Sequence, residues 1–363
     1  MELCMSPDLG GLELSMISTA KLLKKDFNVV NLIKKESKIA TYFEDTEKVI
    51  LLEKKSSFFM FLSAKKLAKI IDSMDIKIIH LHWTKDILFV VLAKILSKNK
   101  PKIVQTRHMT MTRFKNDFYH KFIYKNIDVI LAVSQQVKEQ LEKFIDKGVC
   151  PELELLYAGV GEQQILSPRD VVVLQNELSM RSLNFNIGMV GRINEDKGQH
   201  LLIQAVEILR KKGKNVNAYF VGHAMEVSYL EKLQAEVKEK KLQECIHFLG
   251  FMKDPHHFYQ ICDCIVLASK KETFGLVLLE AIQMKTAVIG SNSGGVVEII
   301  DDKKNGLLFE VGNADDLADK ILYMIENLDE SEKMQAEALK KSQELFNDEK
   351  QYEKLKTIFE RLV

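Results

Sequence analysis

Short apolar runs alternate with amphipathic stretches along the whole chain of 363 residues. The apolar runs are rich in β-branched residues and predict buried strands, while the stretches between them repeat apolar residues at helical spacing. Strands that alternate with helices indicate parallel sheets covered by helices on both faces. The predicted strands are 2–5, 27–33, 49–52, 77–81, 102–106, 129–133 and 154–156 in the first half, and 185–190, 217–221, 246–249, 264–268 and 287–290 in the second.

Two such series predict two doubly wound α/β domains, because a chain of this length is long for a single core. We place the N-terminal domain at 1–165 and the C-terminal domain at 166–346. The polar segment 159–170 is the expected hinge. In paired domains of this kind, ligands bind in the cleft beside the carboxyl ends of the strands.

Composition favours a globular protein of the cytoplasm. Hydrophobic residues make up 46% of the chain and charged residues 28%, and no apolar run approaches the roughly 20 residues that cross a bilayer. The first residues lack the basic segment and apolar core of a signal peptide. Five cysteines without a Cys-x-x-Cys pair suit a reducing compartment, and we expect Cys262 and Cys264 to pack in the core rather than bind metal.

Charge is unevenly distributed, although the net charge is only +1. Residues 1–127 carry ten more basic than acidic side chains, and residues 128–363 carry nine fewer. A basic first domain suits a partner such as an anionic lipid surface or an anionic glycan, and solubility alone explains it equally well. No nucleic-acid reader motif accompanies the lysines, so a nucleic-acid partner is disfavoured.

The segment from Glu272 to Glu280 holds two carboxylates eight positions apart across a Phe-Gly step. It follows a predicted strand and runs into a predicted helix over 276–283, so Glu272 lies in the loop and Glu280 about one turn into the helix. Backbone N–H groups at the helix start can bind an anion, and the carboxylates can accept hydrogen bonds from hydroxyls. A nucleotide sugar offers all these groups.

A second segment, 188–198, predicts a diphosphate site. Glycines and two cations, Arg192 and Lys197, fill the turn between a strand and a helix over 199–210. The guanidinium of Arg192 can fork onto phosphate oxygens, Lys197 adds a compact charge, and the helix N-terminus favours an anion. The alternative is that both side chains are solvated loop cations.

Taken together, these segments resemble the retaining GT-B glycosyltransferases of glycosyltransferase family 4, also called glycosyl transferases group 1. The resemblance covers most of the chain. It rests on Gly10-Gly11, His82, His108, Gly191-Arg192, Lys197-Gly198, Gly222, the Glu272/Glu280 pair and Ser293-Gly294-Gly295 to Glu298.

The family implies two Rossmann-like domains facing an interdomain cleft. Its members bind the acceptor on the N-terminal domain, here 1–165, and the nucleotide sugar on the C-terminal domain, here 166–346. Their last helix crosses back to the first domain, and we expect 347–363 to do so.

The resemblance also implies roles for individual residues. The expected catalytic residues are Glu272, His108, Arg192 and Lys197. Those expected to bind the donor are Gly10, Gly11, Gly191, Gly222, Met252, Phe274, Gly275, Leu276 and Glu280, and those expected on the acceptor side are His82 and Arg113.

The implied reaction retains the anomeric configuration: the acceptor hydroxyl attacks the face from which the phosphate leaves, and that phosphate takes the proton. Because the chain has no Asp-x-Asp triplet, we expect no metal, and we expect no cofactor beside the substrate. The family's commonest donor is a UDP-sugar. The loop 157–161 departs from the family's Asn-Gly-Val-Asp pattern, so its usual contacts are not carried over.

The expected acceptor is an anionic glycan or lipid-linked glycan in lipopolysaccharide or cell-surface polysaccharide synthesis. This acceptor would place the protein in the cytoplasm, with peripheral contact at the inner membrane face. Two alternatives stay open: a GT-B-fold sugar-nucleotide epimerase and a non-catalytic nucleotide-sugar-binding assembly protein. A phosphorylase would need a pyridoxal lysine and a longer chain.

Overall fold

A computed structural model describes residues 1–44, 46–53, 60–180 and 183–363. The chain divides into two compact units. Unit 1 comprises Met1–Gly159 and Asp348–Val363, and unit 2 comprises Val160–Asn347. The chain therefore passes from unit 1 to unit 2 after Gly159, whereas the sequence suggested a boundary after residue 165. It returns to unit 1 at Asp348.

Unit 1 contains a 7-stranded parallel sheet in the order β3-β2-β1-β4-β5-β6-β7. Its strands are β1 Glu2–Cys4, β2 Asn31–Lys34, β3 Val49–Leu52, β4 Ile78–Leu81, β5 Lys102–Arg107, β6 Val129–Ala132 and β7 Glu152–Leu155. Its helices are α1 Gly11–Leu23, α2 Met60–Ser73, α3 Ile87–Leu96, α4 Phe118–Lys125, α5 Gln135–Phe144 and the last helix of the chain, α14 Asp348–Glu360.

Unit 2 contains a 6-stranded parallel sheet in the order β10-β9-β8-β11-β12-β13. Its strands are β8 Phe185–Val190, β9 Val216–Val221, β10 Ile246–Gly250, β11 Cys264–Leu267, β12 Ala287–Ser291 and β13 Leu307–Phe309. Its helices are α6 Pro168–Glu177, α7 Gln199–Lys211, α8 Val227–Glu239, α9 His256–Gln260, α10 Leu276–Gln283, α11 Val296–Ile299, α12 Ala314–Glu326 and α13 Leu328–Leu345.

The predicted fold class, two doubly wound α/β domains, is confirmed. Central strands such as β6 and β11 are buried along their whole length, which explains their continuous apolar sequences. The structure adds one strand that the apolar pattern did not predict, β13, which follows Asn305-Gly306. Its three residues are too few to show a periodic pattern, and pairing with β12 is what makes them a strand.

The C-terminal part of the chain forms two helices, α13 and α14. Helix α13 ends at Leu345, and Phe346, only 1% exposed, lies between it and α14. The ring of Phe346 packs against Phe274 in unit 2, with the centroids 5.6 Å apart. This buried aromatic residue marks the point where the chain leaves unit 2.

Helix α14 packs on the sheet of unit 1. Its buried residues Leu355 and Phe359 share a core cluster with Ile78, Val104 and Val129, which lie on β4, β5 and β6. Ion pairs at the edge of the helix join Lys356 to Asp26 at 3.0 Å and Glu349 to Lys25 at 2.8 Å. Surface pairs of this kind add little free energy, so the apolar contacts hold the helix.

The strand order of each sheet reverses at one point. In unit 1 the switch lies between β1 and β4, and in unit 2 between β8 and β11. Ligands of open α/β sheets bind at the carboxyl ends of the strands beside such a switch. The residues after β1, β4 and β5, and those after β8 and β11, are therefore the places to look for a site.

In the described ranges of the chain, no helix has both the length and the apolar character that crossing a membrane requires. All five cysteines are free, and Cys262 and Cys264 are buried in unit 2.

Shortening Leu355 tests the packing of α14. Leu355→Ala should lower the free energy of unfolding of unit 1 by about 2–5 kcal/mol, because it deletes a side chain that is 4% exposed. The single tryptophan, Trp83, lies in unit 1, so its fluorescence in a urea titration reports the unfolding of that unit.

The matched control is Leu328→Ala, which removes the same atoms from a residue that is 61% exposed in unit 2. It should leave the Trp83 midpoint unchanged. A midpoint for Leu355→Ala equal to that of the wild type would show that α14 does not stabilise unit 1.

Candidate active site

The centre of the site in unit 2 is an ion pair between two loops. Lys197, at the end of the turn after β8, places its Nζ 2.7 Å from Oε2 of Glu272 in the loop after β11. The backbone joins the same loops, since the N–H of Lys270 donates to the carbonyl of Asp196 at 2.9 Å. The two predicted segments therefore meet at the switch point of the sheet.

Arg192 lies at the exposed start of the first of these loops. Its carbonyl accepts a hydrogen bond from Nε2 of Gln199 on α7 at 3.0 Å, which fixes its backbone. Across the part of the chain that the structure describes, the guanidinium forms no hydrogen bond or ion pair. An exposed guanidinium therefore lies on the same turn as the lysine that pairs with Glu272.

Helix α10 begins beside this pair without a side-chain cap. Gly275 precedes it in the left-handed conformation, with φ 106°, and among the described residues no side chain accepts from its first turn. The backbone N–H groups at Leu276 therefore point out of the helix and favour an anion. The side chain of Phe274 is 4% exposed and packs in the core, so only its backbone is suited to contact a ligand.

Glu280 on α10 is oriented by a tyrosine that the sequence did not reveal. The hydroxyl of Tyr259 on α9 donates to Oε2 of Glu280 at 2.6 Å. Burial, followed by the charge of Glu280, holds the pKa of Tyr259 well above its usual range, so the tyrosine stays a donor. One carboxylate oxygen is thereby fixed, and the half-buried carboxylate keeps its other oxygen for a ligand.

The turns after β8, β9 and β10 are joined by backbone hydrogen bonds. The N–H of Gly191 donates to Val221 at 2.9 Å, and that of Gly222 donates to Gly250 at 2.7 Å. A Cβ on Gly222 would lie 1.9 Å from the carbonyl oxygen of Gly191. Gly222 is therefore needed for the close approach of these two turns.

Two exposed aromatic rings stand at the ends of β9 and β10. The rings of His223 and Phe251 meet edge to face, with their centroids 6.1 Å apart. Phe251 is 58% exposed, and the partly buried Met252 follows it. These side chains offer an apolar and aromatic surface of the kind that stacks on a planar base.

A second glycine turn supports the loop that carries Glu272. The N–H of Gly295 donates to the carbonyl of Glu272 at 3.1 Å. A Cβ on Gly294, whose φ is 62°, would lie 1.8 Å from that same carbonyl oxygen. The Ser293-Gly294-Gly295 turn therefore holds the backbone of Glu272 in place.

The site predicted in unit 1 begins where α1 follows β1. Gly10 precedes α1 in an extended conformation, and Gly11 is its first residue. No side chain caps this helix start, and a Cβ on Gly11 would meet nothing within 4 Å. The backbone there is open, as a ligand-binding turn requires.

Four polar side chains connect β1 and β4 to the loop after β5. His80 Nδ1 lies 3.0 Å from Oε1 of Glu2, and His82 Nε2 lies 2.8 Å from Oε2. His82 Nδ1 in turn lies 3.3 Å from Nε2 of His108. His82 is only 1% exposed, whereas His108 is partly exposed, so His108 is the member of this group that other molecules can reach.

The protonation of this cluster follows from its burial. Burial alone would raise the pKa of Glu2, but the charges and hydrogen bonds of His80 and His82 outweigh it and lower the value to about 2. Burial, followed by His80, lowers the pKa of His82 to about 4. Burial, followed by His82, lowers that of His108 well below its usual range. Near neutral pH, Glu2 is therefore ionised and the rings of His82 and His108 are neutral.

A buried arginine, which the sequence did not single out, holds the turn that carries His108. Nε of Arg107 donates to the carbonyl of Met109 at 2.8 Å, and Nη1 donates to Oγ1 of Thr84 at 3.2 Å. Nη2 donates to the carbonyl of Thr110 at 3.3 Å. Arg107 therefore fixes the backbone of the two residues that directly follow His108.

Arg113 lies farther along the same loop, on an exposed surface. Phe114 and Phe118 near it are 62% and 88% exposed, and Met109 is 56% exposed. The structure thus places Arg113 among exposed apolar side chains. His82, the other residue predicted on the acceptor side, is instead buried against Glu2.

Two protein families match segments of this chain. A family described as Glycosyl transferases group 1 matches residues 177–341, and one described as Glycosyl transferase 4-like matches residues 2–134. An uncharacterized glycosyltransferase of Methanocaldococcus jannaschii is 28% identical, with 98% of this chain and 96% of that protein aligned.

Two further relatives extend the comparison. N-acetyl-alpha-D-glucosaminyl L-malate synthase of Bacillus anthracis is 25% identical over 82% of this chain and 77% of its own length. The crystal structure of Anabaena Alr3699/HepE in complex with UDP-glucose is 21% identical and matches with a TM-score of 0.86, covering 99% of this chain and 98% of that one.

The two family matches cover most of unit 1 and most of unit 2. The parallel sheets of the two units agree with the GT-B fold of the matched structures. Residues 177–341 therefore match the group 1 glycosyltransferases and residues 2–134 the glycosyltransferase 4-like family, and the chain is a glycosyltransferase of the GT-B fold that uses a nucleotide sugar.

Proposed function

We propose that this glycosyltransferase moves a sugar from UDP-sugar to an anionic glycan or lipid-linked acceptor, with retention of the anomeric configuration and without a metal. The observation that carries the proposal is the Lys197–Glu272 pair beside the exposed Arg192 and the uncapped start of α10. This arrangement offers positive charge, free N–H groups and a carboxylate within two adjoining loops.

Each part of a UDP-sugar has a partner of suitable chemistry in unit 2. Arg192, Lys197 and the N-terminus of α10 suit the diphosphate. Glu272 suits the sugar hydroxyls, and Glu280, already oriented by Tyr259, suits the ribose hydroxyls. Met252 and the His223–Phe251 rings suit the base, and uracil is preferred because a structure of the same fold holds UDP-glucose.

The proposed transfer breaks the bond between the anomeric carbon and the β-phosphate oxygen. The acceptor oxygen bonds to that carbon on the same face, and the proton of the acceptor hydroxyl passes to the leaving phosphate. Glu272 is engaged with Lys197, so it serves better as a hydrogen-bond acceptor for the sugar than as a free base. The phosphate is then the base, and configuration is retained.

Two cations replace a metal in this proposal. Negative charge grows on the diphosphate as it leaves, and fixed positive groups that face it lower the barrier. Arg192 and Lys197 are already held by the turn before α7. The positive charge is therefore supplied by side chains whose backbone is fixed before the substrate binds.

The acceptor side of the proposal rests on the loop after β5. Met109 and Phe114 on this loop, which also carries Arg113, and Phe118 and Tyr119 at the start of α4 are all exposed. Exposed aromatic and basic side chains together suit the interface of an anionic membrane, where a lipid-linked acceptor is found. We therefore propose a cell-surface polysaccharide or lipopolysaccharide acceptor at the inner membrane face.

Removing Glu280 tests the donor site. Glu280→Ala should weaken UDP binding about 10- to 150-fold, because a carboxylate hydrogen bond of this kind is worth about 1.5–3 kcal/mol. Isothermal titration of UDP, GDP and ADP into the wild type should give the tightest binding for UDP.

The control for this titration is Glu231→Ala, an exposed glutamate on α8 of the same unit. It should bind UDP as the wild type does. Equal UDP affinity in Glu280→Ala and the wild type would remove Glu280 from the donor site, and tighter binding of GDP or ADP would reassign the donor.

Removing either cation tests the charge stabilisation. Arg192→Met and Lys197→Met should each lower kcat about 100-fold or more, as loss of one charge-stabilising donor does in other enzymes. Lys232→Met, which changes an exposed lysine on α8, should keep the wild-type rate. The wild type should also keep its rate in EDTA, and a loss that Mg²⁺ restores would contradict metal-free transfer.

Vesicle binding tests the acceptor surface. The wild type should float with phosphatidylglycerol vesicles at low salt and less so at high salt. The double change Phe114→Ser with Phe118→Ser should weaken binding about tenfold or more for each phenylalanine.

The matched control changes Val227 and Leu328 to serine, since both are exposed apolar residues in unit 2. It should float normally. If the wild type does not float at low salt, the lipid-linked acceptor is wrong, and a small anionic acceptor becomes the better candidate, such as the L-malate in the name of the Bacillus anthracis relative.

A further inference from the structure

We propose that Glu2 and His82 are positioning residues that fix the tautomer of His108, so that His108 presents an unprotonated Nδ1 to a hydroxyl of the donor sugar. The inference rests on the proposed function in one respect, which is that the donor is a nucleotide sugar, and it adds that a hydroxyl of this sugar contacts His108. The tautomer itself follows from the hydrogen bonds of unit 1 alone.

The first step is the carboxylate of Glu2. It is 1% exposed, and an ionised carboxylate only accepts hydrogen bonds. Both neighbouring rings must therefore donate to it: His80 through Nδ1–H at 3.0 Å and His82 through Nε2–H at 2.8 Å. A buried charge of this kind persists only when such donors surround it.

The second step is the ring of His82. A neutral imidazole has one N–H, and His82 uses it for Glu2, so its Nδ1 carries a lone pair. That Nδ1 lies 3.3 Å from Nε2 of His108, which must then be the protonated nitrogen of His108. Because His108 is also neutral, its own Nδ1 is left with a lone pair.

His80, the other neighbour of Glu2, also donates a hydrogen bond to its carboxylate. His80 donates through Nδ1, and its Nε2 lies 2.7 Å from Oγ1 of Thr106. The ring of Phe359 on α14 packs edge to face against His80, with the centroids 5.5 Å apart. The contacts with Glu2, Thr106 and Phe359 therefore hold the ring of His80 in place.

The register of the sheet explains why these residues meet. Glu2 on β1 is the partner of His80 on β4, so their side chains lie on the same face of the sheet. His82 follows two positions later and returns to that face. Arg107 holds the turn after β5, which brings His108 beside His82.

The tautomer has a chemical consequence for the substrate. A bare Nδ1 accepts a hydrogen bond, so it selects a sugar hydroxyl that donates. With the opposite tautomer, or with a charged ring, the same position would be an N–H donor. Glu2, which hydrogen-bonds to His82, would therefore influence recognition of the sugar through His82 and His108.

A metal ion is the competing interpretation of the same residues. The ligand atoms of Glu2, His80 and His82 lie within 4.8 Å of one another, close enough to share one ion. A metal on Nε2 of His82 would move the proton of that ring to Nδ1. His82 would then donate to His108, and the tautomer of His108 would be reversed, so a measurement of the tautomer separates the two.

The test is a two-bond ¹H–¹⁵N correlation spectrum of the full chain labelled with [¹⁵N]histidine, with the His108 and His82 signals assigned from His108→Gln and His82→Gln. In the wild type near neutral pH, His108 should be neutral with its proton on Nε2. A proton on Nδ1, a charged His108 ring, or one bound metal per chain by elemental analysis would overturn the proposal.

The variant Glu2→Gln extends the test to the substrate. It should remove the uniform Nε2–H tautomer of His108 and weaken binding of UDP-sugar about tenfold, while the affinity for UDP, which lacks the sugar, stays unchanged. A merely structural role would weaken both ligands alike and would overturn the positioning role. Glu142→Gln, an exposed glutamate on α5, should change neither spectrum nor affinity.

The two proposals fail differently. If His108 has the expected tautomer and Glu2→Gln alters it without changing the affinity for UDP-sugar, the positioning by Glu2 stands and the sugar contact of His108 is wrong. If UDP does not bind the wild type, the donor proposal is wrong, and the spectrum still decides the tautomer.

Discussion

The ion pair between Lys197 and Glu272 is the contact on which the rest of the donor site depends. It joins the loop after β8 to the loop after β11, where the strand order of the sheet reverses. Both side chains are partly exposed, so the pair adds only about 0–1 kcal/mol to stability. Its importance is positional, because it sets a carboxylate and a cation beside the start of α10 before any ligand arrives.

Unit 1 contains a buried charge, the carboxylate of Glu2. An ionised carboxylate inside a sheet is costly unless donors surround it, and Glu2 has two imidazole donors. Helix α14 covers this region through Phe359, so the end of the chain contributes to the surroundings of a residue at its start. The same hydrogen bonds that stabilise the charge also decide which nitrogen of His108 carries a proton.

Local pattern was enough to predict every strand except β13, and it predicted the loops that carry Arg192, Lys197 and Glu272, because each of these motifs follows its own strand. It could not identify Tyr259, Glu2 or Arg107. Glu2 precedes His80 by 78 positions, and only the pairing of β1 with β4 brings them together. Tyr259 precedes Glu280 by 21 positions on a separate helix. Tertiary packing brings such partners together, and the spacing of residues along the sequence does not reveal them.

The stereochemistry of transfer is the most direct test of the proposal that this protein is a retaining glycosyltransferase. The wild type would be incubated with a UDP-sugar of known anomeric configuration and an anionic glycan acceptor, and the first product would be followed by ¹H NMR. We expect a new glycosidic linkage with the anomeric configuration of the donor. A product of inverted configuration would contradict the retaining mechanism, and conversion of the donor sugar to its epimer without an acceptor would show that the protein is not a transferase.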